Sequence, residues 1–251
     1  MNLLALFAPT GSRWHDPLLT AMHGHDLPWQ LAAVQPGTAV AEAVAGLAPL
    51  GFAGALVEDA ALQETVYAAA PRREAEAEEA ERADALKVSF GVPTASYVWP
   101  EAVRTAVVQA GFEGARLLWV GPALPGLRSA LRSALKVHVW QANPTAGEAF
   151  LGRLPTPQRG KVLLSEAQVE AMAAEVDLVV YAGGSLPVRI LQPYHGLFAL
   201  QEPPVQDAYL AVDQVISPGY FLQVYLSRLL AWVAELDLPP EAFALHARHD
   251  S

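Results

Sequence analysis

The sequence predicts an α/β fold in two domains, and three observations carry that reading. Short apolar runs alternate with longer amphipathic stretches, the sequence form of βαβ units around a mostly parallel sheet. The chain has 251 residues, more than one modest domain needs. Of these, 53% are hydrophobic, enough to bury two cores.

Taken in order, strands are expected at residues 3–7, 29–34, 54–57, 117–120, 136–140, 178–181 and 210–212, each a short run rich in Leu, Val or Ala. Val40, Val44 and Leu47 repeat at helical spacing ahead of Gly51, a residue suited to stopping a helix. The stretch 71–83, PRREAEAEEAERA, is rich in Ala and Glu and reads as a solvated helix. After the strand ARLLWVG, Leu124, Leu127, Leu131 and Leu135 recur every three or four residues and place an apolar stripe on one helix. Residues 152–161 are polar and proline-rich, which predicts a loop. An amphipathic helix is expected over 220–236, and Pro240 can open a last short one. The resulting division is 1–105, 106–215 and a C-terminal piece, 216–251, whose helices return to the first domain.

Composition excludes several functions. Sixteen basic against 26 acidic side chains give a formal charge of −10, which repels a phosphate backbone, so no nucleic-acid partner is expected. Mean hydropathy is +0.23, yet residues 220–232 are interrupted by Gln223, Ser227 and Arg228, short of the roughly 20 apolar residues that a span requires. No membrane partner is expected. The start, MNLLALFAPTG, has no basic region and an apolar run of only about six residues, which reads as a cytoplasmic protein without a secretion signal. With no Cys, thiolate catalysis, zinc–thiolate and iron–sulfur sites are excluded. His23 and His25 are two residues apart, on different faces of a helix, so no metal is expected. Trp14, Trp29 and Trp99 are either core residues or an interface, and the chain reads as a monomer or homodimer.

Five segments, GFAGALV at 51–57, LLWVGPALPGLRSAL at 117–131, WQANPTAGEAF at 140–150, DLVVYAG at 177–183 and AVDQVISPG at 211–219, followed by GYFLQVYLSRLLAW, occur in an order that resembles the shikimate dehydrogenase family along nearly the whole chain. The resemblance implies an N-terminal α/β substrate-type domain and a Rossmann-like, doubly wound NAD(P)-type domain. It also implies the family reaction, NADP-dependent interconversion of 3-dehydroshikimate and shikimate.

The functional positions within those segments differ from the family's. Where the family has its catalytic Lys this chain has Leu62, and the partner Asp position falls on Tyr97. Leucine carries no titratable proton, and no Lys stands near Tyr97 to lower its pKa. The two serines that hold the carboxylate of shikimate become Trp14 and Asp16 around His15, while Glu58 and Asp59 add acids that repel an anion. Arg13 and His15 are the nearby groups able to offset them. Tyr225 joins these as a candidate lining residue.

In the phosphate turn the resemblance places Gly121, Pro122, Ala123, Leu124 and Pro125. Ala123 and Leu124 add side chains where a pyrophosphate approaches the backbone, and both prolines delete an N–H donor. Asn143 and Thr145 match family positions at the next strand end without the Arg or acid that chooses NADP or NAD; Arg153 is a cation nearby in the chain, and Asp213, in the AVDQVISPG segment, matches another family motif position. The expected protein is therefore a shikimate-dehydrogenase-like pseudoenzyme that binds or senses a small molecule, neutral or cationic, with NADP or NAD binding weak. The alternative is an active NAD(P)-dependent oxidoreductase of altered substrate specificity.

Overall fold

The computed structural model describes residues 2–186, 188–205 and 207–243. By contact density it forms two units: one runs to Ala102 and resumes at Leu222, and the other is Val103–Phe221.

The first unit is built from β1 (Asn2–Phe7), α1 (His15–Gly24), β2 (Trp29–Val34), α2 (Val40–Gly46), β3 (Phe52–Val57), α3 (Ala60–Ala69), β4 (Arg72–Arg73), α4 (Ala75–Ala80), β5 (Ala85–Ser89), β6 (Val92–Ser96) and the start of α5 (Trp99–Gln109). Its six-stranded sheet has the order β2-β1-β3-β5-β6-β4. β1 is parallel to both β2 and β3, whereas β5 runs antiparallel to β3 and β6. Leu4, Leu6 and Leu56 are fully buried, as expected of strands covered on both faces.

The second unit contains β7 (Arg116–Val120), α6 (Leu127–Ala130), β8 (Lys136–Trp140), α7 (Pro144–Gly152), β9 (Arg159–Leu163), α8 (Glu166–Met172), β10 (Leu178–Tyr181), β11 (Gly196–Ala199), α9 (Asp207–Leu210), β12 (Gln214–Ile216) and the start of α10 (Pro218–Ala234), whose later turns belong to the first unit. Its sheet is wholly parallel, with order β12-β11-β10-β7-β8-β9. Numbered within the unit, that is the doubly wound 3-2-1-4-5-6 order, whose crevice lies between β7 and β10. The short apolar run of β10 is buried along its length, which is why it reads clearly from sequence.

Four local expectations are corrected. The strand expected at 210–212 is absent: Leu210 ends α9 with 85% exposure, and the strand comes later, as the edge strand β12. The Leu124–Leu135 stripe is only partly a helix. Pro125 and a left-handed Gly126 delay its start, Leu127 and Leu131 are buried, and Leu135 points outward, 63% exposed. Residues 71–83 divide into β4 and α4, because Arg72 and Arg73 pair with β6 and Glu81 adopts φ 52 at the helix end. Residues 152–161 contain a 3-10 turn, Thr156–Gln158, and lead into β9.

Candidate functional site

In the first unit, the loop after β1 reaches Ser12, whose hydroxyl donates to the Glu58 carboxylate that follows β3. The same Ser12 oxygen accepts the N–H groups of Trp14 (3.2 Å) and His15 (3.1 Å) and so covers the open donors at the start of α1. Glu58 also accepts the Arg13 N–H at 2.8 Å. These bonds fix residues 12–15 against the end of β3. Asp59 is occupied as the N-cap of α3, accepting the Ala61 N–H at 2.9 Å. Leu62 packs, partly buried, against the core formed by Val57, Val66 and Ala70.

Beside this loop, at the carboxyl ends of β1 and β2, lies a cavity of about 570 Å³, lined by Ala8 to Ser12, His15, Asp16, Ala33 and Gln35. The His15 Nδ1 is 3.0 Å from Asp16 Oδ1, and Gln35 donates to the Thr10 hydroxyl at 3.1 Å. Of the acids expected near the substrate, Asp16 lines this cavity and Glu58 reaches its wall through Ser12.

Trp14 does not line the cavity; it is buried, 5% exposed, edge-on to Tyr225 with ring centroids 5.3 Å apart and planes at 81°. The Tyr225 hydroxyl donates to Asp84 Oδ2 at 2.6 Å. Asp84 is the functional candidate that sequence reasoning missed. It has no exposed surface, and its carboxylate accepts the backbone N–H groups of Val98 (2.7 Å) and Trp99 (2.9 Å), so it caps α5 from the position just before β5. Burial outweighs these hydrogen bonds and raises its pKa to about 6. Its sequence signal was a single acid inside Ala83-Asp84-Ala85-Leu86, at the start of a buried strand. Tyr97 is also buried and stacks on Trp99 at 6.3 Å and 27°. Burial first, and then the Asp84 charge, push the phenols of Tyr97 and Tyr225 well above the ordinary tyrosine range. Neither phenol ionises near neutrality. Trp14 and Trp99 are thus core residues, which corrects the interface reading for both, and Trp29 is half-buried.

In the second unit, the turn after β7 lies at the topological switch point. Gly121 has φ +116, and a Cβ there would stand 2.7 Å from the Gly183 nitrogen and 2.8 Å from its oxygen, so only glycine fits. The turn is tied by its carbonyls: Gln141 donates to Gly121 O at 2.6 Å, and the Trp119 indole to Pro122 O at 3.0 Å. Pro122 and Pro125 offer no N–H, and Ala123 and Leu124 are half-buried. The helix that follows, α6, has four residues and a left-handed Gly126 at its N-cap, with no side-chain cap. This turn fits a dinucleotide pyrophosphate poorly, because that group needs free N–H groups and the positive end of a helix. Asn143 is used locally, accepting the N–H groups of Thr145 (3.0 Å) and Ala146 (3.4 Å) as the N-cap of α7. Thr145, Arg153 and Asp213 are exposed. Among the described residues, no group of three or more His, Cys, Asp or Glu is placed to hold a metal ion, and no helix is long and apolar enough to cross a membrane.

No protein-family model matches the chain, and no curated protein matches it. Solved structures do share its fold. Shikimate 5-dehydrogenase from Listeria monocytogenes, in complex with shikimate and NAD, aligns with a TM-score of 0.79 at 13% identity, over 96% of this chain and 94% of that one. The enzyme from Thermus thermophilus, in complex with NADP(H) and shikimate, aligns with a TM-score of 0.77 at 18% identity, over 97% of each chain. Ligand-free 5-ketofructose reductase of Gluconobacter sp. strain CHM43 aligns with a TM-score of 0.80 at 10% identity, over 96% of each chain. The chain therefore has the two-domain α/β fold of the shikimate dehydrogenases, with a Rossmann-like second unit.

Proposed function

We propose that this protein is a shikimate-dehydrogenase-like small-molecule-binding protein without the family's redox step, and that its ligand occupies the cavity at the ends of β1 and β2. The buried Trp14–Tyr225–Asp84 cluster carries this reading. Proton transfer to a carbonyl or from a hydroxyl needs a titratable group within hydrogen-bond reach of the reacting atom. Here Leu62 is apolar, the Tyr97 and Tyr225 phenols are held protonated, and Asp84 is fully enclosed with three donors on its carboxylate. The turn around Gly121 adds support: it offers few N–H donors to the phosphates of NAD(P).

The ligand is neutral or cationic. Asp16 and the Ser12-linked Glu58 set a negative potential at the cavity, which disfavours a carboxylate such as shikimate. One structural neighbour is named as a reductase of 5-ketofructose, an uncharged polyhydroxy diketone.

Two measurements test the reading. Nicotinamide absorbance is followed with shikimate, quinate and 5-ketofructose, using both NAD(H) and NADP(H). No turnover is expected, and turnover of any of the three would establish the competing reading, an oxidoreductase of altered specificity. Calorimetric titration with myo-inositol, putrescine and shikimate then ranks the ligand classes. Shikimate binding more tightly than the other two would overturn the assigned charge preference.

A further inference from the structure

We propose that the charge on Asp84 controls the loop that walls the cavity, acting through Tyr225 and Trp14. The consequence for ligand affinity rests on the cavity being the ligand site; the relay itself does not.

The connection is continuous and lies within the first unit. Asp84 Oδ2 accepts two hydrogen bonds, from the Trp99 N–H at 2.9 Å and from the Tyr225 hydroxyl at 2.6 Å. The Tyr225 ring meets Trp14 edge-on at 5.3 Å. Trp14 is the residue before α1, and its N–H and that of His15 both end on Ser12, whose hydroxyl holds Glu58. Ser12, His15 and Asp16 are three of the residues that line the cavity. Every step is a packed ring contact or a hydrogen bond, and both rings are buried, so a displacement of Tyr225 has little free volume in which to dissipate.

Protonation changes the hydrogen-bond directions in a defined way. As an anion, Asp84 only accepts. When a proton from solvent is added, the carboxyl must donate it, and the Tyr225 oxygen at 2.6 Å is the partner already in place. The bond then runs from Asp84 to Tyr225, and the phenolic hydrogen must turn elsewhere. The bonds from Val98 and Trp99 lose their charge assistance in the same step.

This equilibrium is placed to respond near neutrality, because burial brings the Asp84 pKa up to about 6. The titratable groups around Asp84 are Tyr225 from α10, Tyr97 from the segment after β6, and Arg82, two residues before it, whose charge reaches Tyr97. Those at the far end of the relay are Arg13, His15 and Asp16 near the start of α1, and Glu58 after β3.

The test uses the full chain labelled with 5-fluorotryptophan, with the Trp14 resonance assigned by its loss in Trp14→Phe. In the native protein this resonance shifts between pH 5 and 7.5 with a midpoint near 6. Asp84→Asn abolishes the shift. Tyr225→Phe keeps the ring but removes the hydrogen bond that favours the ionised form, so the midpoint moves upward and the amplitude falls by about half or more; this variant also decides the matter if Asp84→Asn does not fold. His15→Gln, which removes the imidazole lining the cavity, leaves the shift in place. A Trp14 resonance that does not titrate, or one that titrates unchanged in Asp84→Asn, overturns the relay. Affinity for myo-inositol or putrescine is expected to differ about threefold or more between pH 5 and 7.5, and to be level in Asp84→Asn. Failure of both probes to bind at either pH refutes the cavity assignment, while the Trp14 titration still decides the relay.

Discussion

Around Asp84, just before β5, this chain fills space with side chains; at the carboxyl end of β7 it fills space with backbone. In the first unit Trp14, Tyr97, Trp99 and Tyr225 enclose a carboxylate that is satisfied by two amides and a phenol. In the second, Gly121 lies so close to the Gly183 backbone that it has no room for a Cβ, and two glutamines hold the neighbouring carbonyls. Both arrangements are tightly closed, but by different physics. Side-chain packing can be exchanged one residue at a time, whereas a backbone close approach tolerates almost no substitution.

The largest expected effect tests that second statement. Gly121→Val forces an L side chain into φ +116 and against the Gly183 backbone, and should cost about 4 kcal/mol. Thermal unfolding should show the loss, and a cost under about 1 kcal/mol would mean that the close approach is not structural. Next in size is Asp84→Ala in the first unit, which removes the buried acceptor of the Val98 and Trp99 amides and the Tyr225 hydroxyl, at about 3 kcal/mol. Loss of protection in hydrogen exchange should concentrate in the first turn of α5.

The two units also differ in their response to acid. The folded pKa of Asp84, about 6, lies above its ordinary value of 3.8, so the folded state binds more protons between those limits. Its contribution is therefore greatest at low pH and declines as pH rises through about 6; going from pH 7 to 5 should stabilise the protein by about 1 kcal/mol. Asp177 in the second unit behaves oppositely. Bonds from the Arg116 guanidinium at 2.8 and 3.0 Å hold its carboxyl below the usual range, so its contribution is present above the ordinary carboxylate pKa and is lost on further acidification. Denaturant midpoints across pH 3–7.5 should rise and then fall on acidification, and Asp84→Asn should remove only the rise.

How much of this was legible in the sequence depended on how each element is buried. Strands covered on both faces, such as β7 and β10, read directly as apolar runs. β5 and β6 did not, because the half-buried Lys87, Ser89 and Thr94 and the buried Pro93 break the run, and β9 is an edge strand carrying Arg159, Gly160 and Lys161. Around the candidate site, the residue replacements were visible one at a time, but their consequences were not. That Trp14 would meet Tyr225, or that Asp84 would cap a helix 15 residues onward, depends on pairings between distant elements. Asp59 and Asn143 show the converse: their position just before a helix already fitted a capping role, which the structure assigns to both.

The smallest effect runs in the other direction and lies at a turn of the first unit where backbone conformation, not packing, dominates. β5 and β6 pair from Ala85–Ser96 to Ser89–Val92, which leaves Phe90 and Gly91 as a two-residue turn with φ 52 and 73. Positive φ at both central residues is the type I′ turn, which favours Asn-Gly, and a bulky aromatic at its first position is strained. Phe90 gains nothing in return from burial, being fully exposed. Phe90→Asn should therefore stabilise the protein by about 0.5–1 kcal/mol, measured as a raised denaturant midpoint with an unchanged slope. If the midpoint falls instead, the ring is making contacts that outweigh the turn's preference, and the rule that side chains decide stability in this unit would extend even to its most exposed tip.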